Sequence, residues 1–169
     1  VGAIWTPRDG HVDPSGATNA MLTGARNRGA STSRRNRVLE INRRPDGDWD
    51  VVTEQGTVTC EHVVNAAGCY ADRVARMVGL RVPMANALHA YVITEPVPEI
   101  TALDRELPVM RDDYLSGYIR QEQESGLIGI YEQVGAEAAW NDQPGWELEN
   151  PLFPIDYDII GDRLMRAFE

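Results

Sequence analysis

The 169 residues contain no lysine, so all 16 cationic side chains are arginine. That excludes a Schiff-base lysine, a phosphate-loop lysine and lysine acid–base chemistry from this chain. Cysteine is scarce as well. Cys60 and Cys69 allow one disulfide at most, and neither stands in a C-x-x-C pair or beside histidines at ligand spacing. A metal site is therefore not expected, and both read as ordinary semi-buried thiols. Only three histidines occur, His11, His62 and His89, which limits the candidates for proton transfer near neutral pH. Positive charge is in deficit: 26 Asp and Glu against 16 Arg leave a formal charge of −10. Nucleic-acid backbones and anionic membrane surfaces need a basic footprint, so neither is an expected partner. No apolar run approaches the roughly 20 residues that cross a bilayer. No charged segment followed by an apolar one opens the chain, and the expectation drawn from this is a cytoplasmic protein.

What is present reads as globular: 43% hydrophobic and 25% charged, at the length of about one ordinary domain. Both ends read as cuts within a longer protein. The chain opens on the strand-like run Val1-Gly2-Ala3-Ile4-Trp5 without a Met and closes on Leu164 to Glu169 in mid-helix by pattern. Asp13-Pro14-Ser15 is a helix start, an acceptor side chain followed by Pro at the first helical position. Ala17, Ala20, Met21, Gly24 and Ala25 then recur at helical spacing until Gly29, a narrow face suited to close packing on a sheet. A strand is expected around Val38, Leu39 and Ile41. A hairpin is expected from 49–53 to 57–60, with Gly56 in its turn.

His62 to Gly68 reads as a short apolar strand ending in small residues, followed by a helix from about Tyr70 to Val78 that Gly79 caps. Further strands are expected at 87–94, 107–110, 116–121 and 126–131. A long acidic, Trp-rich loop should run over 137–154, read as a mobile surface loop with a lid or partner surface as the alternatives, and an amphipathic helix over 155–168. The order predicts an α/β to α+β fold with mixed and antiparallel sheets and flanking helices, in two unequal lobes that divide near Gly79 to Pro83.

Six segments carry more than local structure. They are Gly10-His11-Val12-Asp13-Pro14, Val63-Val64-Asn65-Ala66-Ala67-Gly68, His89-Ala90-Tyr91-Val92-Ile93-Thr94, Leu107-Pro108-Val109-Met110-Arg111-Asp112, Tyr118-Ile119-Arg120-Gln121-Glu122 and Gly129-Ile130-Tyr131-Glu132. In this order and at these separations, over residues 1 to about 132, the series resembles the dimethylglycine dehydrogenase and sarcosine dehydrogenase group of the D-amino-acid-oxidase-like flavoproteins. The resemblance implies a two-lobed flavoprotein. Residues 1–12 would be a strand of the substrate lobe, 13–82 part of the FAD-binding lobe, 83–155 the sheet-rich substrate lobe and 156–169 a C-terminal helix.

It also implies site residues. Ala67 and Gly68 match the end of the strand that lies against FAD, where small residues let a flat cofactor approach. Val38 matches a residue that meets the adenine side through its main chain. His89 matches a histidine beside the substrate nitrogen, and Tyr118 a tyrosine between flavin and substrate. Arg120, two residues on and so on the same strand face, could hold a substrate carboxylate or form a structural ion pair with Glu122 or Asp112. His11 is a second-rank candidate, and Tyr91, Arg111 and Tyr131 are further possible pocket residues. The implied reaction is hydride transfer from a small N-methyl amino acid to flavin, with tetrahydrofolate used where a further domain is present. The family's glycine-rich phosphate turn, G-x-G-x-x-G, is not in this sequence, nor is its upstream histidine that can tether FAD, so the fragment alone is expected to bind FAD weakly and to be inactive. A non-catalytic homologue of the phosphatase-regulatory type and another flavin amine or amino-acid oxidase are the alternatives.

Overall fold

The computed structural model describes residues 2–131, 139–140, 145–146 and 153–168. The elements run α1 (Pro14–Arg26), β1 (Val38–Arg43), β2 (Trp49–Thr53), β3 (Gly56–Cys60), a 3-10 turn (Gly68–Tyr70), α2 (Ala71–Arg76), β4 (Asn86–Ala87), β5 (Ala90–Ile93), α3 (Pro98–Thr101), β6 (Met110–Asp112), β7 (Gly117–Glu122), β8 (Ser125–Ile130), β9 (Ala139–Trp140) and α4 (Tyr157–Arg166). They fall into two compact units. The first gathers the described residues of Val1–Thr18, Ala87–Trp140 and Asn150–Glu169; the second gathers those of Asn19–Asn86 and Asn141–Glu149.

Helix α1 begins as its sequence dictates. The Asp13 carboxylate accepts from the Gly16 N–H, satisfying one of the donors that a helix start leaves over. Of the face expected to pack closely on a sheet, Ala17, Gly24 and Ala25 are half-buried while Ala20 and Met21 are exposed, so α1 has no fully buried residue.

The second unit holds the three-stranded antiparallel sheet β1-β2-β3. The hairpin falls where Gly56 predicts it, with Thr53 opposite Gly56 and Val51 opposite Val58. Two strand expectations fail. No strand forms within 62–68 or within 2–12, although the first is largely apolar and the second opens on an apolar run that ends at Trp5. A strand exists only where another edge completes its ladder, and among the described residues neither segment has one. Val64 is accordingly 87% exposed and Ile4 98%. The helix expected from Tyr70 is a 3-10 turn leading into α2. It ends in a Schellman closure: Gly79 takes φ 75°, and the Leu80 N–H reaches back to the Ala75 carbonyl at 3.1 Å. Asp72 is buried in its first turn. It accepts from the Val82 N–H at 3.0 Å and pairs with Arg76 (2.8 Å) and Arg81 (3.2 Å). These bonds hold its carboxyl at about 2, the Val82 amide contributing most. Cys60 is half-buried and Cys69 exposed, which corrects the reading of two semi-buried thiols.

The first unit holds the four-stranded antiparallel sheet β5-β8-β7-β6. Side chains alternate across it, and the two faces differ in kind. Ile128 and Ile130 of β8 form the core with Leu115 and Ile160 of α4; Ala90, Val92, Ile119, Ile159 and Leu164 pack around them. Ile130 is 0% exposed. Helix α4 starts on Asp156, whose carboxylate accepts from the Asp158 N–H at 3.0 Å. The opposite face carries a row of cross-strand partners, Tyr91, Gly129, Tyr118 and Arg111, one from each strand. The single strand expected over 87–94 is broken between β4 and β5, and His89 sits in the break, two residues before Tyr91. Most of the acidic loop expected over 137–154 lies outside the described residues.

Candidate active site

The first unit contains a cavity of about 1260 Å³ lined by Trp5, His11, His89, Arg111, Tyr118 and Tyr131 among others. Small-molecule sites commonly take about 300–1,000 Å³, so the space is ample for a small amine. Three rings meet on its wall. The His89 imidazole stacks on Tyr131, centroids 5.0 Å apart and planes 20° apart; Tyr118 lies 5.9 Å from His89 and 5.8 Å from Tyr131. His89 and Tyr118 were expected beside one substrate, and both face this one hollow. Tyr118 reaches this face by parity, since odd-numbered positions of β5 and β8 and even-numbered ones of β7 lie opposite the isoleucine core, and His89 reaches it from the break that precedes β5.

Burial pushes the Tyr118 phenol above its ordinary value, and the neighbouring Tyr131 adds to this. At neutral pH the group is a protonated hydrogen-bond donor, not a base. The two arginines of the face differ. Arg120 is held 2.6 Å from Glu122 and donates to the Gln121 carbonyl at 3.1 Å, the structural ion pair that the sequence offered as an alternative. Arg111 donates to the Tyr131 hydroxyl at 3.0 Å, a neutral partner. A guanidinium facing a phenol keeps its charge for a ligand, whereas one facing a carboxylate has spent it. His11 lies in the cavity wall and is 3.1 Å from Glu106, itself on an irregular segment with no periodic signal to reveal it. Trp5 lines the cavity from a stretch read only as a strand.

The residues expected to face the cofactor lie in the second unit. Val38 opens β1, half-buried opposite Thr53. Asn65 shapes the turn that follows: its Oδ1 accepts from the Ala67 N–H at 3.2 Å and its Nδ2 donates to the Ala71 carbonyl at 2.9 Å. Gly68 takes φ 55°, and beyond its chain neighbours no atom of the described residues lies within 4 Å of where a Cβ would stand. This bare, open backbone fits the close approach of a planar ring, so the residues present are compatible with FAD. Trp146 is no free lid. It is stacked on Tyr70 at 5.2 Å, the Arg73 guanidinium lies 3.9 Å from its ring, and the Tyr70 hydroxyl donates to the Gly145 carbonyl. The side chain of Trp140 lies outside the described residues.

Residues 1–167 match the family of FAD dependent oxidoreductases. The chain belongs to that family. It is 43% identical to the mitochondrial dimethylglycine dehydrogenase of Mus musculus over 98% of this chain and 20% of that protein. It is 32% identical to the mitochondrial sarcosine dehydrogenase of the same species, over 98% of this chain and 18% of the relative. A 4-methylaminobutanoate oxidase (formaldehyde-forming) of Paenarthrobacter nicotinovorans is 36% identical over 79% of this chain. The resemblance read from the motif series therefore holds, and the chain spans about a fifth of the length of the dimethylglycine and sarcosine dehydrogenases it matches. Among solved structures, L-proline dehydrogenase from P. horikoshii superposes with a TM-score of 0.70 at 24% identity, covering 97% of this chain and 40% of that one. This agrees with the expected mixture of helices and antiparallel sheets.

The expectation of a cytoplasmic protein is overturned. The dimethylglycine dehydrogenases of mouse, rat and human and the mouse sarcosine dehydrogenase are mitochondrial proteins, which conflicts with a cytoplasmic assignment. The composition of a folded segment does not report its compartment, because an address is carried by a sequence of its own.

Proposed function

We propose that the chain forms the substrate-holding part of an FAD-dependent oxidoreductase that oxidatively demethylates small N-methyl amino acids such as dimethylglycine or sarcosine. One observation carries this reading: an imidazole, a protonated phenol and a guanidinium that, among the described residues, pairs with a phenol and with no carboxylate line a single hollow, at His89, Tyr118 and Arg111. These groups complement a molecule with an amine at one end and a carboxylate at the other. The names of the three relatives given above support the same class, since dimethylglycine, sarcosine and 4-methylaminobutanoate each combine an N-methyl amine with a carboxylate.

FAD, when bound, supplies the two-electron acceptor that no side chain here can replace. Val38, Ala67 and Gly68 would hold it through their main chain. Arg111 takes the substrate carboxylate in a charge-assisted pair, with the Tyr131 hydroxyl fixing the guanidinium's direction. His89 accepts the ammonium proton at a ring nitrogen, so that the amine is held neutral with its lone pair available. Tyr118 remains protonated and orients the amine by donating a hydrogen bond. Arg120 supports the strand through Glu122 and has a lesser share in binding. Passing the released carbon to tetrahydrofolate would fall to a separate domain.

The test is turnover of dimethylglycine and sarcosine by the whole flavin-loaded protein, with His89→Gln and Tyr118→Phe beside it. General acid–base and orienting groups are each worth roughly 10²-fold or more, so both variants should lose activity on that scale. Unchanged rates in both would remove these residues from the site. Bound flavin with no oxidation of any N-methyl amino acid would overturn the activity itself.

A further inference from the structure

The open face of the four-stranded sheet has one position with no side chain. Gly129 lies in β8 between Tyr91 of β5 and Tyr118 of β7, its direct cross-strand partners. Its backbone does not require glycine, since it is absent from the positive-φ glycines. Space requires it. A Cβ built on Gly129 would overlap Cε1 and Cζ of Tyr118 and stand 2.6 Å from its hydroxyl oxygen. Non-bonded carbons rest about 3.5–4.0 Å apart, so the two cannot coexist. The outer half of the Tyr118 ring therefore lies across the bare main chain of Gly129, and Gly129 is itself buried. The same strand supplies a contrast: a Cβ on Gly126 would meet Thr94 at 3.7 Å, an ordinary contact.

We propose that Gly129 is a positioning residue: its missing side chain is the slot that seats the Tyr118 phenol against the sheet, at the distance from His89 and Tyr131 that the cavity shows. The proposal rests on the reading of Tyr118 as a substrate-orienting group. An alanine at 129 cannot be absorbed by the sheet, whose hydrogen-bonded register fixes the two Cα atoms as neighbours. It lifts the ring into the cavity instead. Glycine opposite an aromatic side chain also fits a familiar cross-strand arrangement, in which the ring covers the backbone the glycine leaves exposed.

The experiment uses the whole flavin-loaded protein with dimethylglycine as substrate. Gly129→Ala should lower kcat by roughly 10- to 100-fold, the scale on which a displacement of about 1 Å acts, with KM moving far less. Gly126→Ala should leave both within about twofold, as expected of a site outside the machinery. In a Tyr118→Ala background, adding Gly129→Ala should cost nothing more, because the ring it displaces is gone. If Gly129→Ala turns over normally while Tyr118→Phe is impaired, the slot is refuted and the role of Tyr118 stands. Normal turnover in Tyr118→Phe refutes both. A rise in KM with kcat unchanged also refutes positioning. Should Gly129→Ala lose its flavin or fail to fold, the Tyr118→Ala/Gly129→Ala protein decides. Recovery to the level of Tyr118→Ala alone supports the slot, and no recovery overturns it.

Discussion

Arg111 and Arg120 stand near each other on one sheet face, and the structure separates their roles by their partners. Replacing Arg111 by glutamine removes a guanidinium that, among the described residues, is hydrogen-bonded to the neutral phenol of Tyr131 alone. If it holds the substrate carboxylate, the loss is one charge-assisted hydrogen bond, about 1.5–3 kcal/mol. At about 1.4 kcal/mol per decade this is roughly a 10- to 100-fold rise in KM. Arg120→Gln removes a guanidinium already neutralised at 2.6 Å by Glu122. A partly exposed pair of this kind contributes about 0–1 kcal/mol, so KM should shift less than about fivefold. The assay is steady-state oxidation of dimethylglycine by the whole flavin-loaded protein, followed through reduction of an artificial electron acceptor. Dimethylaminoethanol, which keeps the amine and lacks the carboxylate, serves as the control: Arg111→Gln should handicap it little, because the lost bond was never made. A large KM increase in Arg120→Gln with none in Arg111→Gln would refute the reasoning. So would an equal penalty for both substrates in Arg111→Gln.

Two further outcomes follow from the packing. Ile130→Ala empties a fully buried position between the sheet and α4; it should destabilise the protein by about 2–5 kcal/mol in urea unfolding, and a loss below about 1 kcal/mol would mean that this core is not the one described. Asp72→Asn should destabilise the second unit in a pH-dependent way. The native carboxyl sits at about 2, below the unfolded value of about 3.9. Its contribution is therefore fully present above about pH 4 and lost as pH falls toward 2, so thermal unfolding of the two proteins should differ at neutral pH and converge in acid. A gap that persists unchanged to pH 2 would refute the charge-based account.

Much of the local architecture was legible because it depends on near neighbours in the chain. Asp13-Pro14 starts a helix, Gly56 turns a hairpin and Gly79 closes α2, since capping acceptors and left-handed glycines act within a few residues of themselves. Segments whose form depends on a distant partner were misread. Residues 62–68 and the run that ends at Trp5 have strand composition, yet a ladder needs an edge to bind, and hydrophobicity cannot report whether one is there. His89 and Tyr118 were legible as a pair only through the ordered motif series, because 29 positions of chain separate them and no local rule joins them.

What the sequence determined by itself was the inventory and the alternation within one strand: no lysine, three histidines, and Tyr118 and Arg120 on a shared strand face. The tertiary structure decided which of those residues meet. Register across four strands set Gly129 beneath the Tyr118 ring, brought Tyr131 against His89 and placed Arg111 beside a phenol. Pairing between strands is a long-range choice made by the whole sheet at once, and charge or chemistry at one position becomes a site only when that choice brings its neighbours within reach.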